Sequence, residues 1–160
     1  MIDDLYNARI LELAGHIDRI GRLDQPDGTA SAHSKLCGST VTVDLKLADG
    51  IVTDFAHEVR ACALGQASSS LLAANIVGHD AAELGAIRDS LTAWLAREGD
   101  LPAWPGLDIF VPALDYTARH PSIRLAFEAA ADAAAAAATQ RGDGTDADQR
   151  SATASAGADV

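Results

Sequence analysis

Apolar and polar residues alternate along two neighbouring stretches of the chain. In residues 40–47 every second position is apolar: Val41, Val43, Leu45 and Leu47. A period of two is typical of a β-strand with one buried face. Residues 51–61 alternate in the same way, and their inward face is formed by Ile51, Phe55 and Val59. The pattern therefore predicts two consecutive strands.

The dipeptide Asp49-Gly50 lies between the two predicted strands and is a strong hairpin signal, because type I′ turns require a positive φ at both positions. Antiparallel pairing returns the second strand to the start of the first. The chain has two cysteines: Cys37 precedes the first strand and Cys62 follows the second. The hairpin therefore predicts that both thiols lie at the same end of the sheet.

The rest of the chain is mainly helical by its periodicity. An amphipathic helix is predicted over residues 3–20, ended by Gly21, and an irregular polar stretch over residues 22–35. Further helices are predicted over residues 65–77, from the capping box at Asp80 to about Arg97, and from Ser122 through the alanine run. This order predicts an α+β fold, with helices packed on one face of a small antiparallel sheet.

The end of the chain differs in composition from the rest. Residues 133–138 are all alanine, and residues 141–160 contain almost nothing to bury. Such a segment cannot offset the entropy cost of ordering it. We therefore predict one folded domain over residues 3–138 and a disordered tail, rich in Ala, Gly, Asp and Ser, over residues 139–160.

The chain is acidic, with a net charge of −11 from 12 basic and 23 acidic side chains. It has no Lys/Arg cluster to contact a phosphate backbone, so we expect no nucleic-acid partner. No apolar run reaches the roughly 18 residues of a membrane span, and the acidic start lacks the basic residues of a signal peptide. We expect a cytoplasmic protein without membrane association, where two cysteines are more often ligands, nucleophiles or buried thiols than a disulfide.

Four stretches resemble the U-type iron–sulfur cluster scaffold family, which includes IscU, SufU and the N-terminal domain of NifU. The most specific stretch runs from Cys62 to Leu71 and is similar to the family's Cys-x5-Ser-x-Ser-Leu/Met segment. The other three are residues 5–15, the Cys37-Gly38-Ser39 tripeptide and residues 112–126. The resemblance implies a SufE/NifU-like α+β fold.

The resemblance also implies a function, that of a scaffold rather than an enzyme. Such a scaffold accepts sulfur from a cysteine desulfurase and iron from elsewhere, holds a 2Fe-2S cluster transiently and passes it to cluster-acceptor proteins. It implies that Cys37 and Cys62 are the sulfur acceptors and metal ligands of this chain.

Hydroxyl residues occupy two of the family's expected ligand positions. Ser39 stands where the family has an aspartate, and Ser122 is aligned with its third cysteine. Hydroxyls are poor ligands for soft metal ions, whereas a 2Fe-2S cluster or a tetrahedral zinc ion requires about four ligands. The resemblance therefore leaves the ligand set of this chain incomplete.

Histidines are candidates for the missing ligands. His120, close to the position of the lost cysteine, is the candidate for a third ligand, and His33, His57 or Glu58 for a fourth. His57 and Glu58 lie on opposite faces of a strand, so only one of them can point at the site. Glutathione or a second subunit in a homodimer are further ways to complete the set.

Three alternatives to a cluster-bearing scaffold stay open. A degenerate homologue without a stable cluster would act as a sulfur relay or a regulatory partner of a cysteine desulfurase. A zinc-binding sulfur-transfer partner is a second alternative, suggested by the SufU branch. A thiol redox protein, in which Cys37 and Cys62 form a reversible disulfide, is a third and requires Cα atoms within about 7 Å.

Overall fold

The structure is a computed structural model that describes residues 7–35 and 38–150, with side chains up to residue 139. Cys37 therefore lies outside the described residues. In chain order the elements are helix α1 (Ala8–Ala14), strands β1 (Gly28–His33), β2 (Thr40–Ala48) and β3 (Ile51–Arg60), helices α2 (Ala63–Asn75) and α3 (Ala81–Leu95), two 3-10 helices (Leu107–Asp115 and Thr117–Arg119) and helix α4 (His120–Arg150).

The strands form a three-stranded antiparallel sheet in the order β1-β2-β3. The helices bury the inner face of this sheet, and α4 packs across β1 and β2. The predicted α+β fold, with a small antiparallel sheet and helices on one face, is confirmed.

The predicted hairpin is present between β2 and β3. Its turn residues have positive φ, 54° at Asp49 and 81° at Gly50. The apolar positions predicted for β2 are all buried: Val41, Val43, Leu45 and Leu47. At the far end of the hairpin Thr40 pairs with Arg60, so the residues before β2 and those after β3 share one end of the sheet.

A register shift between Lys46 and Leu47 changes the inward face of β3. Because of this bulge Val52 lies opposite Leu47 and is buried, while Ile51 is exposed. The prediction that Ile51 points inward is therefore wrong, whereas Phe55, beyond the bulge, is buried as predicted.

Strand β1 lies within residues 22–35, which the sequence predicts to be irregular. It pairs with β2 from Gly28 opposite Leu45 to His33 opposite Thr40. The prediction is wrong because the inward positions of β1 are only glycine and alanine, so the alternation with Thr29, Ser31 and His33 is a weak strand signal. Pairing with β2 specifies the strand.

Helix α1 is shorter than the predicted helix over residues 3–20. Asn7 caps it, since the side-chain oxygen accepts a hydrogen bond from the Ile10 N–H at 3.0 Å, and it ends at Ala14. The following residues run beside β3, where the Gly21 N–H donates to the His57 carbonyl and the His57 N–H donates to the Arg19 carbonyl. This backbone pairing competes with the helix, so the prediction is wrong from residue 15 onward.

The alanine run forms the packing face of α4. Ala133, Ala134 and Ala137 are buried, and Gly28 of β1 lies directly beneath Ala133 and Ala137. Small residues on both elements let the helix axis come close to the strand. Helix α4 extends to Arg150, past the predicted boundary at residue 139, and the assignment of residues 139–160 to a separate tail stays a prediction.

Candidate thiol site at one end of the sheet

Cys62 is the N-cap residue of α2, two residues after the end of β3. Its backbone is extended, with φ −69° and ψ 175°, and its partly exposed side chain carries a free thiol. Cys62 therefore lies at the end of the sheet where β3 ends, and its backbone is fixed by α2, which begins at the next residue.

The segment that contains Cys37 is the turn between β1 and β2. The described residues on either side of the cysteine close this turn: the Ser34 N–H donates to the Ser39 carbonyl, and the Gly38 N–H donates to the Ser34 carbonyl, each at 2.8 Å. The turn leads into Thr40, the partner of Arg60. It therefore lies at the end of the sheet where β3 leads into Cys62, while a shared site of the two thiols stays a prediction.

The first turn of α4 packs against the first turn of α2. A Cβ added at Gly65 would lie 3.2 Å from the Ser122 carbonyl oxygen, and the Ser68 hydroxyl donates to the Ile123 carbonyl at 2.7 Å. Ser122 is therefore held close to the helix that Cys62 caps. Both residues at the family's other ligand positions, Ser39 and Ser122, are buried.

His120 is the first residue of α4 and is buried. Its Nε2 lies 2.8 Å from the Ala113 carbonyl oxygen. A carbonyl can only accept, so Nε2 carries the proton and a neutral His120 keeps its lone pair on Nδ1. Metal-binding histidines commonly donate their other ring N–H to a carbonyl in this way. The arrangement fits a ligand that binds through Nδ1.

The other candidate ligands are spread over both faces of the sheet. His33 is exposed, with Nδ1 2.9 Å from the Thr40 hydroxyl. Glu58 is exposed on the outer face, whereas His57 is fully buried on the inner face opposite Val43. The Nε2 of His57 lies 2.9 Å from the Asp18 carbonyl oxygen, so this imidazole fastens the residues after α1 to β3. His57 lies three residues before the end of β3 and five before Cys62, so it is not placed to serve as the fourth ligand at the sheet end.

The described side chains leave out Cys37. In that part of the chain no three His, Cys, Asp or Glu side chains come together as a metal site. A complete ligand set would therefore require Cys37 and at least one donor from outside the described residues.

Asp44 is a buried charged residue that the sequence pattern does not single out. It lies on the outer face yet is fully buried, and it accepts hydrogen bonds from Arg22 (2.6 and 3.0 Å), from the Leu23 N–H (3.0 Å) and from the Thr29 hydroxyl (2.6 Å). Burial by itself raises the pKa of Asp44, but these bonds and the Arg22 charge outweigh it and hold the pKa below its ordinary value of 3.8. This cluster fastens Arg22, Leu23 and Thr29 to the outer face of β2.

Residues 5–96 match the family model of the NifU-like N-terminal domain. The chain belongs to this family. The match includes both cysteines and confirms the resemblance drawn from residues 5–15, 37–39 and 62–71. The fourth stretch, residues 112–126, lies beyond the matched part of this NifU-like chain.

Solved structures share the fold of this NifU-like protein. The N-terminal part of a nitrogen-fixing NifU-like protein from Brucella abortus is 54% identical, with a TM-score of 0.82 over 86% of this chain and 97% of that one. A candidate iron–sulfur cluster assembly scaffold protein for the SUF system from Fervidobacterium islandicum is 16% identical. Its TM-score is 0.67 over 79% of this chain and 94% of that one, a likeness of fold alone.

Two curated relatives are named as the iron–sulfur cluster assembly scaffold protein IscU. The one from Thermotoga maritima is 32% identical over 80 residues, 50% of this chain and 56% of that protein. The one from Haemophilus influenzae is 30% identical over 101 residues, 61% of this chain and 78% of that protein. The chain thus spans just over half the length of the first of these relatives. Among the helices of the described part of the chain, none has both the length and the apolarity needed to cross a membrane.

Proposed function

We propose that this NifU-like protein is a scaffold for iron–sulfur cluster assembly, with Cys37 and Cys62 as its sulfur acceptors and first metal ligands. The observation that carries the proposal is the position of Cys62. It caps α2 at the sheet end to which the turn containing Cys37 returns. The scaffold names of the two IscU relatives support the same assignment.

The thiol of Cys62 is suited to accept sulfur because it is partly exposed and free. As a thiolate it attacks the outer sulfur of a persulfide on a cysteine desulfurase. One S–S bond forms on Cys62, the S–S bond of the donor breaks, and the donor leaves as a thiolate. Iron and the two electrons that reduce the sulfane sulfur to sulfide come from outside this chain. The partners proposed are therefore a cysteine desulfurase and cluster-acceptor proteins, in the cytoplasm.

The proposed metal ligands are Cys37, Cys62 and the Nδ1 of His120. Hydroxyls at Ser39 and Ser122 bind soft ions weakly, so the remaining ligand comes from glutathione or from a second subunit in a homodimer. A 2Fe-2S cluster or iron held in this way is labile, which suits cargo that is passed on. Zinc can bind two thiolates and an imidazole in the same manner. The chain then acts by binding and transfer and not as an enzyme.

A second candidate function is a sulfur relay, or a regulatory partner of the desulfurase, that holds no stable cluster. The hydroxyls at Ser39 and Ser122 favour this function, because they stand in place of a carboxylate and a thiolate that would bind metal more strongly. A reversible disulfide between Cys37 and Cys62 is the third candidate and rests on their shared sheet end.

Anaerobic reconstitution separates these candidates. The full chain is incubated with iron, cysteine, a reductant and a cysteine desulfurase, and its absorption spectrum, iron content and sulfide content are measured. The scaffold proposal expects a 2Fe-2S spectrum that is lost in Cys37→Ala and in Cys62→Ala and kept in a surface control, Arg9→Ala. Sulfur on a thiol without bound iron would instead support the relay. Neither iron nor sulfur on the protein would contradict both.

A further inference from the structure

A cleft of about 460 Å³ opens on the outer face of the sheet. It is lined by Ile20, Thr40, Thr42, Glu58, Val59 and Arg60. Two cross-strand pairs form its floor, Thr40 with Arg60 and Thr42 with Glu58. Its volume falls in the range of roughly 300–1,000 Å³ that is usual for small-molecule sites.

Neighbouring residues hold the cleft in place from both sides. The Thr40 hydroxyl is bonded to His33, and the Thr42 hydroxyl is 2.7 Å from that of Ser31. On the opposite side, the Asp44–Arg22 cluster fastens the segment that carries Ile20. The cleft is thus a preformed feature of the sheet.

Two opposite charges lie on the cleft floor, one on each side of Val59. Among the described side chains no carboxylate pairs with Arg60, in a protein with a net charge of −11. Glu58 has one weak ion pair, with 3.9 Å between its carboxylate and the Arg22 guanidinium. Arg22 pairs more closely with Asp44, at 2.6 Å. A free guanidinium binds a carboxylate with two parallel hydrogen bonds, and a free carboxylate binds an ammonium group.

The side chains around these charges suit a small, partly apolar ligand. Ile20 is 58% exposed and supplies the apolar side of the cleft, whereas the Val59 side chain packs against the core on the inner face. An amino acid or a short peptide has the matching chemistry, since it carries an ammonium group, at least one carboxylate and a short aliphatic part.

The cleft lies at the sheet end that carries the proposed thiol site. Arg60 is two residues before Cys62, and Thr40 follows the turn that contains Cys37. A ligand bound to Arg60 therefore lies at the same end of the sheet as Ser39, which stands where a metal ligand is expected.

We propose that this cleft binds a zwitterionic amino-acid or short-peptide thiol, such as cysteine or glutathione. The carboxylate binds Arg60, the ammonium group binds Glu58, and the thiolate supplies a ligand that Ser39 and Ser122 do not. The supply of a ligand rests on the proposed scaffold function, whereas binding in the cleft does not.

The test is calorimetric titration of the metal-free full chain with S-methylglutathione, which has an ammonium group and two carboxylates but no free thiol. We expect saturable binding of one molecule per chain. Arg60→Ala weakens it about tenfold or more, and the matched control Arg97→Ala, an exposed arginine paired with Asp115, leaves it unchanged. Thermal unfolding midpoints check that both variants remain folded.

A second arm tests the orientation of the ligand. Glu58→Gln weakens binding of S-methylglutathione but leaves the affinity for its N-acetylated form unchanged, because that form has no ammonium group. S-methylcysteine, compared in parallel, distinguishes an amino acid from a peptide as the preferred ligand.

Absence of saturable binding, or equal affinity in Arg60→Ala and the parent chain, would overturn the proposal. The assay contains no iron and no free ligand thiol, so its failure leaves the scaffold assignment intact. Failure of cluster reconstitution likewise leaves binding in the cleft intact.

Discussion

Gly28 of β1 and Ala137 of α4 approach so closely that a Cβ on Gly28 would lie 2.7 Å from the Cβ of Ala137 and 2.8 Å from its backbone nitrogen. The neighbouring Ala133 carbonyl is also in contact with that position. Backbone atoms cannot move aside as a flexible side chain can. The short distance between β1 and α4 therefore depends on glycine having no side chain at position 28.

Replacing Gly28 by alanine should force α4 away from the sheet. Overpacking of this kind costs about 1–3 kcal/mol of unfolding free energy, and contact with backbone favours the upper end. Gly85 is the matched control, because it lies in α3 with only the end of the Arg88 side chain near its added Cβ, at 3.8 Å. Gly85→Ala should stabilise by about 0.5–1 kcal/mol. Urea unfolding measures both, and a neutral Gly28→Ala would contradict the close packing.

The buried Asp44 should make stability depend on pH in the acid range. Its pKa is lowered in the folded state, so its contribution is complete above the ordinary value of 3.8 and is lost as the pH falls through the folded-state pKa. At neutral pH Asp44→Asn should cost about 1.5–3 kcal/mol, the range for hydrogen bonds to a charged group. The difference between variant and parent should narrow below pH 3.8.

Unfolding curves at neutral and acid pH check this prediction. Asp89→Asn is the control, since the Asp89 side chain is 74% exposed and pairs only with Arg88; a change of about 0–1 kcal/mol is expected there. A destabilisation of Asp44→Asn that does not vary with pH would contradict a lowered pKa.

His57 should cause a separate loss of stability at mildly acid pH. Burial lowers its pKa from 6.5, and the bond to the Asp18 carbonyl opposes this only in part. Its Nδ1 has no hydrogen-bond partner, so a proton there would be buried and unsatisfied. The unfolded chain binds the proton first, and stability therefore falls as the pH drops below 6.5 towards the folded-state pKa.

His57→Gln tests this contribution, because the glutamine amide can still donate to the Asp18 carbonyl while it no longer titrates. Below pH 6.5 the variant should lose less stability per pH unit than the parent chain. His16→Gln, at an exposed histidine, should keep the slope of the parent. If all three proteins lost the same stability per pH unit, His57 would be excluded as the cause of the acid destabilisation.

His120 should affect metal binding through Nδ1 alone. His120→Gln keeps a donor for the Ala113 carbonyl but has no nitrogen lone pair, so it should weaken cobalt(II) or zinc binding by about tenfold or more. The visible spectrum of cobalt(II) reports on the ligand set, and competition with a chelator gives the affinity. His33→Gln, at an exposed histidine bonded to Thr40, is the control. Unchanged binding in His120→Gln would remove His120 from the ligand set.

Local signals in the sequence predict the parts of the fold whose causes lie within a few residues. Asp49-Gly50 determines its own turn, and the alternation before it determines the buried face of β2. The capping box of α3 is also present, with Asp80 and Glu83 bonded in both directions at 2.8 and 3.0 Å. The same local logic brings the backbone around Cys62 and the turn containing Cys37 to one end of the sheet.

The tertiary structure decided the features that depend on a partner distant in the chain. Strand β1 alternates only between small and polar residues, and the residues beside His57 have no apolar period, so pairing with β2 and β3 specifies both segments. The sequence pattern predicts that Asp44 faces solvent, but in the structure Arg22 and Thr29 bind it and cover it. By composition the alanine run is a low-complexity segment. In the structure it packs on Gly28, whose surface only small side chains can approach. A sequence pattern records each residue's own preference, whereas burial and close packing are properties of pairs.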